Sequence, residues 1–151
     1  MTKNEARFLH ASTILVGVTG IVYGWMRYFV EPDPESFSVV GHPWQPEFQA
    51  AHILLAPLLL FACGIVWRTH VWSRVRSGFQ ARRPTGLVLV ISLGPMVISG
   101  YAIQVTVEEL WRDIWIGVHI VTSILWILGY GIHQISKRAK REPQLDASGR
   151  S

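Results

Sequence analysis

Four long apolar stretches, separated by shorter polar ones, dominate the pattern of this chain. They cover roughly residues 8–30, 48–67, 86–107 and 114–132. Each is close to the roughly 20 residues that an α-helix needs to cross a bilayer. No stretch shows the alternating pattern of about ten residues that is typical of a transmembrane β-strand. The pattern therefore predicts an all-α fold, a four-transmembrane-helix bundle that makes residues 1–151 a single membrane domain.

Composition agrees with a membrane protein. Of the 151 residues, 50% are hydrophobic and only 16% are charged, which is unusual for a soluble domain. Lys3 and Arg7 precede the first apolar stretch, as in a signal peptide, but the stretch is too long and no small-residue cleavage site follows it. We therefore expect the first helix to stay in the mature chain. The single cysteine, Cys63, allows no internal disulfide.

Positive charge is concentrated on one side of the predicted membrane. If the N-terminus is cytoplasmic, all of the 14 lysines and arginines except Arg27 and Arg112 lie inside. Those residues are Lys3, Arg7, Arg68, Arg74, Arg76, Arg82, Arg83, Lys137, Arg138, Lys140, Arg141 and Arg150. The positive-inside rule thus predicts cytoplasmic N- and C-termini, an outer loop at 31–47 and a cytoplasmic tail at 137–151. This bias accounts for the net charge of +4 through contact with the lipid bilayer, so no nucleic-acid partner is expected.

Two histidines of the fourth stretch, His119 and His133, are 14 residues apart. At about 100° and 1.5 Å per residue, they share one helix face and lie roughly 21 Å apart along the axis. An ionisable side chain inside a membrane span is costly, and its default interpretation is a functional site. One helix face with an imidazole near each side of the membrane indicates two metal centres.

The predicted topology sorts four histidines into two levels. His52 lies about one turn into the second span from the outer side, at a depth similar to that of His119. His10 lies about one turn into the first span from the cytoplasmic side, near the level of His133. The expected pairs are His52 with His119 outside, and His10 with His133 inside.

Such pairs suit haem iron, which accepts two axial nitrogens while the flat macrocycle fills the space between helices. Structural zinc takes four ligands, and each level has only two well-placed histidines without a cysteine or carboxylate beside them. The chain has no CxxCH motif for covalent haem attachment. We therefore predict two haem b groups, with unrelated core or pathway histidines as the alternative. The predicted axial ligands of the haem iron are His10, His52, His119 and His133.

The surroundings of these histidines carry further expectations. The second ring nitrogen of each ligand should donate to a carbonyl, one turn earlier in the same helix. Gly17 and Gly24 share a face with His10 and would give a porphyrin a flat surface; helix packing through Gly20-x-x-x-Gly24 is the alternative. Trp126 lies midway along the histidine face of the fourth helix and fills the gap between two macrocycles or packs within the bundle.

Two further histidines have open roles. His70 is 18 residues from His52, which restores the helix face, yet it lies about one turn beyond the cytoplasmic level at Val66. It competes with His133 as a ligand of the inner haem; the other interpretations are a partner for a haem propionate or a quinone, or no role. His42 is interpreted as a loop residue, with a propionate contact or a docking surface as the alternative.

The histidine pattern resembles that of the small four-helix cytochrome b subunits of respiratory formate dehydrogenases and nickel-iron hydrogenases. The shared features are His10 early in helix one, His52 early in helix two and the 14-residue pair in helix four. The resemblance covers roughly residues 7–136. It implies a di-haem b subunit of an oxidoreductase complex in the bacterial inner membrane, passing electrons between a periplasmic redox protein or catalytic subunit and the quinone pool. It also implies a quinone site near the cytoplasmic haem.

The chain differs from that family in its shorter length, the additional His70 and the acidic outer loop. Two other functions remain compatible with the residues. The first is a cofactor-free membrane anchor or assembly protein with structural histidines. The second is a transporter with a histidine proton pathway, which the lack of aspartate and glutamate inside the spans disfavours. Ser99, Tyr101 and Gln104 make the third span partly polar, which suits either a quinone pocket or hydrogen bonding between helices.

Overall fold

The computed structural model describes residues 2–32, 34, 40–76 and 83–139. These ranges contain helices, turns and connections and no β-strand, so the all-α prediction is confirmed for them. The chain divides into two compact units, Met1–Gly78 and Phe79–Ser151. Each unit is built around two long helices that pack against each other. We name the units hairpin one and hairpin two.

The two long helices of each hairpin are antiparallel. The connection between them is longer in hairpin one than in hairpin two. Hairpin one comprises α1 (Lys3–Phe29), α2 (Gln45–Val66), a π-helical turn (Trp67–Val71) and the short α3 (Trp72–Arg76). Hairpin two comprises α4 (Arg83–Val105) and α5 (Glu109–Ala139). Residues 30–44 connect the long helices of hairpin one, whereas residues 106–108 suffice in hairpin two.

Among the described residues, four helical segments are long and apolar enough to cross a membrane. They are Lys3–Phe29, Gln45–Val71, Pro84–Val105 and Glu109–Ile135. Large apolar side chains remain exposed along them, with exposed fractions of 62% for Ile21, 75% for Leu54 and 62% for Ile91. Continuous apolar surface of this kind suits lipid rather than water. The four predicted spans are therefore confirmed as membrane-spanning candidates, while the cytoplasmic side of the two termini stays a prediction.

The first helix begins earlier than its apolar residues indicate, at Lys3 instead of Phe8. The hydroxyl of Thr2 accepts from the backbone N–H of Glu5 at 3.2 Å, and the carboxylate of Glu5 accepts from the N–H of Thr2 at 2.8 Å. This capping box satisfies donors that the first helical turn would otherwise leave unpaired. Capping extends the helix into polar sequence that hydropathy alone assigns to the terminus.

The second helix does not end at Trp67, where its apolar run stops. The backbone N–H of Trp72 bonds the carbonyl of Trp67, five residues earlier, which makes this segment a π-helical turn. His70 lies in that turn. Because a π turn is wider than an α turn, the regular 100° step that related His70 to His52 in the sequence does not apply here.

Parts of the predicted connections lie outside the described residues. These are residues 33 and 35–39 of the predicted outer loop and residues 140–151 of the predicted tail. The described end of the loop leads into α2 through His42. The Nδ1 of this histidine accepts from the N–H of Trp44 at 3.1 Å, and its carbonyl accepts from the N–H of Gln45 at 3.0 Å. His42 is thus a loop residue that shapes the start of α2.

Candidate functional site

His52 of α2 is held against α1 through its Nδ1. This nitrogen lies 3.0 Å from the carbonyl oxygen of Val16. A carbonyl only accepts, so Nδ1 carries the proton and donates it. The hydroxyl oxygen of Thr19 lies 3.5 Å from the same nitrogen and donates its own proton to the carbonyl of Leu15 at 2.8 Å. In the neutral ring the lone pair is then on Nε2, the nitrogen that can ligate a metal.

Gly20 provides the space that the His52 ring occupies. A Cβ added at Gly20 would lie 2.7 Å from Cε1 and 3.0 Å from Nδ1 of that ring. Carbon atoms in van der Waals contact are about 3.5–4.0 Å apart, so even an alanine would displace the ring. The carbonyl of residue n, the hydroxyl of n+3 and the glycine at n+4 together form what we term a histidine seat.

Hairpin two contains a second histidine seat, built from the same positions. The Nδ1 of His119 donates to the carbonyl of Met96 at 2.9 Å and lies 3.3 Å from the hydroxyl oxygen of Ser99. Ser99 is fully buried and donates to the carbonyl of Pro95 at 2.6 Å. A Cβ added at Gly100 would lie 3.1 Å from Cε1 of His119. His52 and His119 therefore adopt the same tautomer, and each donates to the first long helix of its own hairpin.

The other half of hairpin two, which is predicted to be cytoplasmic, repeats part of this pattern. The hydroxyl oxygen of Thr85 lies 3.0 Å from the Nδ1 of His133. Thr85 precedes Ser99 by the same 14 residues that separate His119 from His133. Gly86 follows Thr85 as Gly100 follows Ser99. Unlike Gly100, Gly86 is not in contact with a histidine ring, because a Cβ added there would meet no atom within 4 Å. Two Ser/Thr–Gly dipeptides on α4 thus face the two histidines of α5 in antiparallel register.

Hairpin one differs at the corresponding position. Val66, 14 residues after His52, is buried with 8% of its surface exposed. The histidines of this end are His10, half-buried on α1, and His70, half-buried in the π-helical turn. The structure therefore brings His52, His119 and His133 against hydroxyl groups of their own hairpins. The pairing of histidines from different hairpins stays a prediction.

The carbonyl acceptors differ from the expected ones. We expected each ligand to donate to a carbonyl one turn earlier in its own helix, but His52 and His119 donate to the neighbouring helix. The reason is the glycine four residues after each acceptor. A helical side chain leans back over the preceding turn, so a glycine leaves the carbonyl of that turn open to a ring from the side.

Sequence reasoning missed the role of the Ser/Thr–Gly dipeptides. Gly20 was assigned only to helix packing, whereas Gly24, expected beside a porphyrin, has no atom within 4 Å of an added Cβ. The dipeptide itself, at Thr19, Ser99 and Thr85, was the available signal. Trp126 packs within the protein, with 5% of its surface exposed, and stacks on Tyr130 with ring centroids 5.4 Å apart.

A shallow apolar groove runs along the C-terminal half of α2 and the π-helical turn. Its volume is about 720 Å³. The lining residues are Pro57, Leu60, Phe61, Gly64, Ile65, Arg68 and Thr69. The hydroxyl of Thr69 donates to Glu5 of α1 at 3.3 Å, so the polar end of the groove is tied to the start of the first helix. The groove is therefore apolar along most of its length and has a cationic residue, Arg68, at one end.

Among the described residues, no three side chains of histidine, cysteine, aspartate or glutamate come together as a metal site. A bis-histidine haem site needs only two such side chains. No protein-family model, no curated protein and no solved structure matches this chain. The family resemblance therefore depends on the order and spacing of the histidines.

Proposed function

We propose that this chain is a di-haem b electron-transfer subunit of the bacterial inner membrane. In this proposal it passes electrons between a periplasmic redox protein or catalytic subunit and the quinone pool. The observation that carries the proposal is the pair of histidine seats, in which His52 and His119 have the same protonated nitrogen, Nδ1. Two membrane-embedded imidazoles of one tautomer, at one predicted depth, are the donor set that a bis-histidine haem requires.

The donors fit haem better than they fit other metals. Axial ligation uses the lone pair of Nε2, which is where the hydrogen bonds of Nδ1 leave it in a neutral ring. The outer haem would be held by His52 and His119, and the inner haem by His10 with His133, or with His70 in place of His133. When bound, a bis-histidine haem supplies reversible one-electron chemistry and has no open position for a substrate.

The protein groups around the donors perform three tasks in this proposal. The carbonyls of Val16 and Met96 hold the Nδ1 protons, which makes each imidazole a better donor at Nε2. The buried hydroxyl of Ser99 gives the Nδ1 of His119 a second polar neighbour at 3.3 Å. Helices exposed to lipid surround these groups with a medium of low dielectric constant, in which an aligned hydrogen bond is strong.

A quinone is the second ligand in the proposal. The groove on α2 supports it, because an apolar body suits an isoprenoid tail and Arg68 with Thr69 provides polar contacts for a headgroup. Pockets for small ligands commonly combine a large apolar lining with a few polar groups. His70, in the π-helical turn next to Thr69, lies at the same end of α2.

The proposal is tested by the haem content of the purified full-length chain. Oxidised and reduced absorption spectra with a pyridine haemochrome assay should give two b-type haems per chain. The His42→Gln variant is the matched control, because His42 makes its hydrogen bonds to the start of α2 and should leave both haems in place. A colourless chain would contradict the proposal and favour the cofactor-free anchor, and one haem per chain would contradict the two-level arrangement.

A further inference from the structure

We infer that Gly20 is a positioning residue that fixes the tautomer and the orientation of the His52 ring. Gly100 does the same for His119. The purpose of this arrangement rests on the proposed haem function, because a haem needs its axial ligands presented in one form. The seat itself forms from residues of the chain alone.

The carbonyl is the group that selects the tautomer. A neutral imidazole has one N–H, which can be on either nitrogen. The acceptors at 3.0 Å from Nδ1 of His52 and 2.9 Å from Nδ1 of His119 are carbonyl oxygens, which cannot donate. Both rings are therefore held with the proton on Nδ1 and the lone pair on Nε2. The opposite tautomer would present an N–H where iron requires a lone pair.

Glycine is needed because any side chain at that position would cover the carbonyl. A helical Cβ points towards the preceding turn. At position 20 a Cβ would lie 2.7 Å from Cε1 of His52, whereas at position 100 it would lie 3.1 Å from Cε1 of His119. The seat of hairpin one is thus the tighter one, and an alanine should displace its ring further.

The hydroxyl groups favour the same tautomer. Thr19 donates to Leu15 at 2.8 Å and Ser99 donates to Pro95 at 2.6 Å, both within their own helix. Because their protons are used in these bonds, the two hydroxyl oxygens can only accept from the nearby Nδ1, which favours a proton on that nitrogen. Hydroxyl and carbonyl therefore act in the same direction on each ring.

The repetition of the seat indicates a requirement rather than incidental packing. Carbonyl, hydroxyl and glycine occupy n, n+3 and n+4 in both hairpins, although the connections, residues 30–44 and 106–108, differ in length. Both seats also use the same ring nitrogen, Nδ1, to donate to the carbonyl of residue n.

The test measures ring tautomers directly in the full-length chain. Protein with ¹⁵N-labelled histidine is prepared without haem in lipid nanodiscs, at a pH where imidazole is neutral, and signals are assigned with single His→Gln variants. In the unaltered chain His52 and His119 should each show only the Nδ1–H tautomer. Gly20→Ala should convert His52 to a mixture of tautomers and leave His119 unchanged. Gly100→Ala should have the reciprocal but smaller effect.

Two alanine variants serve as matched controls. An added Cβ meets no atom within 4 Å at Gly94 of α4 or at Gly117 of α5. Neither Gly94→Ala nor Gly117→Ala should alter the tautomer signals. In haem-loaded protein, Gly20→Ala should shift the midpoint potential of the outer haem, which a purely structural glycine would not do, and the controls should not.

The outcomes separate this inference from the proposed function. An Nε2–H tautomer at His52 or His119 in the unaltered chain overturns the inference, as does a folded Gly20→Ala chain with unchanged signals and potential. If Gly20→Ala does not fold, the looser Gly100→Ala variant decides the same question at His119. The expected tautomers in a chain that never binds haem would support the seats and contradict the haem proposal. Haem bound to a chain with mixed tautomers would do the reverse.

Discussion

The two hairpins have the same histidine seat at one end and differ at the other. In hairpin one, the positions 7 and 14 residues after the seated histidine are Leu59 and Val66, both buried and apolar. In hairpin two, the corresponding positions are Trp126 and His133. In hairpin one, α2 therefore has no histidine at the position where the seven-residue repeat of hairpin two has His133.

This difference limits how an inner haem could be held. With Val66 at the repeat position, the candidate inner ligands in hairpin one are His10 of α1 and His70 of the π-helical turn, of which His70 competes with His133. The two predicted outer ligands, His52 and His119, both lie in histidine seats. The predicted inner ligands, His10 and His133, lie in α1 and α5. We therefore expect the outer and inner haems to respond differently to changes in the two hairpins.

The largest expected effect is at this asymmetric level. His10→Leu should remove the inner haem and leave one haem per chain, because the resemblance and the predicted depth both assign this ligand to α1. His70→Leu should leave both haems, since the π-helical turn takes His70 out of the regular α-helical phase. Haem-to-protein ratios from the pyridine haemochrome assay measure both. The reverse result would assign the ligand to the turn instead.

The midpoint of each hairpin differs in the size of its buried residue. Trp126→Ala should lower the free energy of unfolding by about 3–5 kcal/mol, since it empties a buried position and removes the stack on Tyr130. Trp111 is the control in the same helix, with 51% of its surface exposed, and its alanine variant should change stability by about 0.5 kcal/mol or less. Denaturant titration in detergent compares the two, and equal losses would mean that Trp126 does not organise hairpin two.

The connections provide a smaller contrast. In hairpin one, a Cβ added at Gly41 would overlap the carbonyl oxygen of Val30. Gly41→Ala should therefore destabilise the haem-free chain by about 1–3 kcal/mol. Gly64→Ala, where the added Cβ is in open space, is the control. A Gly41→Ala chain as stable as its control in the same denaturant titration would show that the connection adjusts without cost.

The smallest effect is expected at Thr85, which contributes one hydroxyl to His133. Thr85→Val should weaken the orientation of that ring by about 1 kcal/mol, the net value of one hydrogen bond. The midpoint potential of the inner haem should shift and that of the outer haem should not. Ser92→Ala is the control in the same helix, because the hydroxyl of Ser92 donates to the carbonyl of Val88 in α4 at 2.7 Å. A shift of the outer potential alone would contradict the assignment of His133 to the inner level.

Hydropathy was sufficient to predict the spans, because each of the four helices has an apolar surface as long as a bilayer requires. It could not predict their ends. Thr2 and Glu5 extend α1 through hydrogen bonds that hydropathy does not measure. The π-helical turn at Trp67–Val71 contains neither glycine nor proline, so no residue in it signals a change of helix type.

The site was predictable in part for a similar reason. The depth of a histidine follows from its position in an apolar run, so His52 and His119 could be matched from the sequence. Their acceptors on neighbouring helices depend on the register between two helices, which no single helix specifies. In the sequence, the signal for where such a ring packs was the Ser/Thr–Gly dipeptide, such as Thr19-Gly20.

Counting haems in three variants tests most directly whether His52 and His119 ligate one and the same haem. His52→Leu and His119→Leu should each retain one haem per chain, and the double variant should retain that same haem, with an unchanged midpoint potential. If both histidines ligate one haem, replacing both cannot remove more than that haem. If the double variant lost both haems while each single variant lost only one, the seated histidines would belong to different sites, and the account would be wrong.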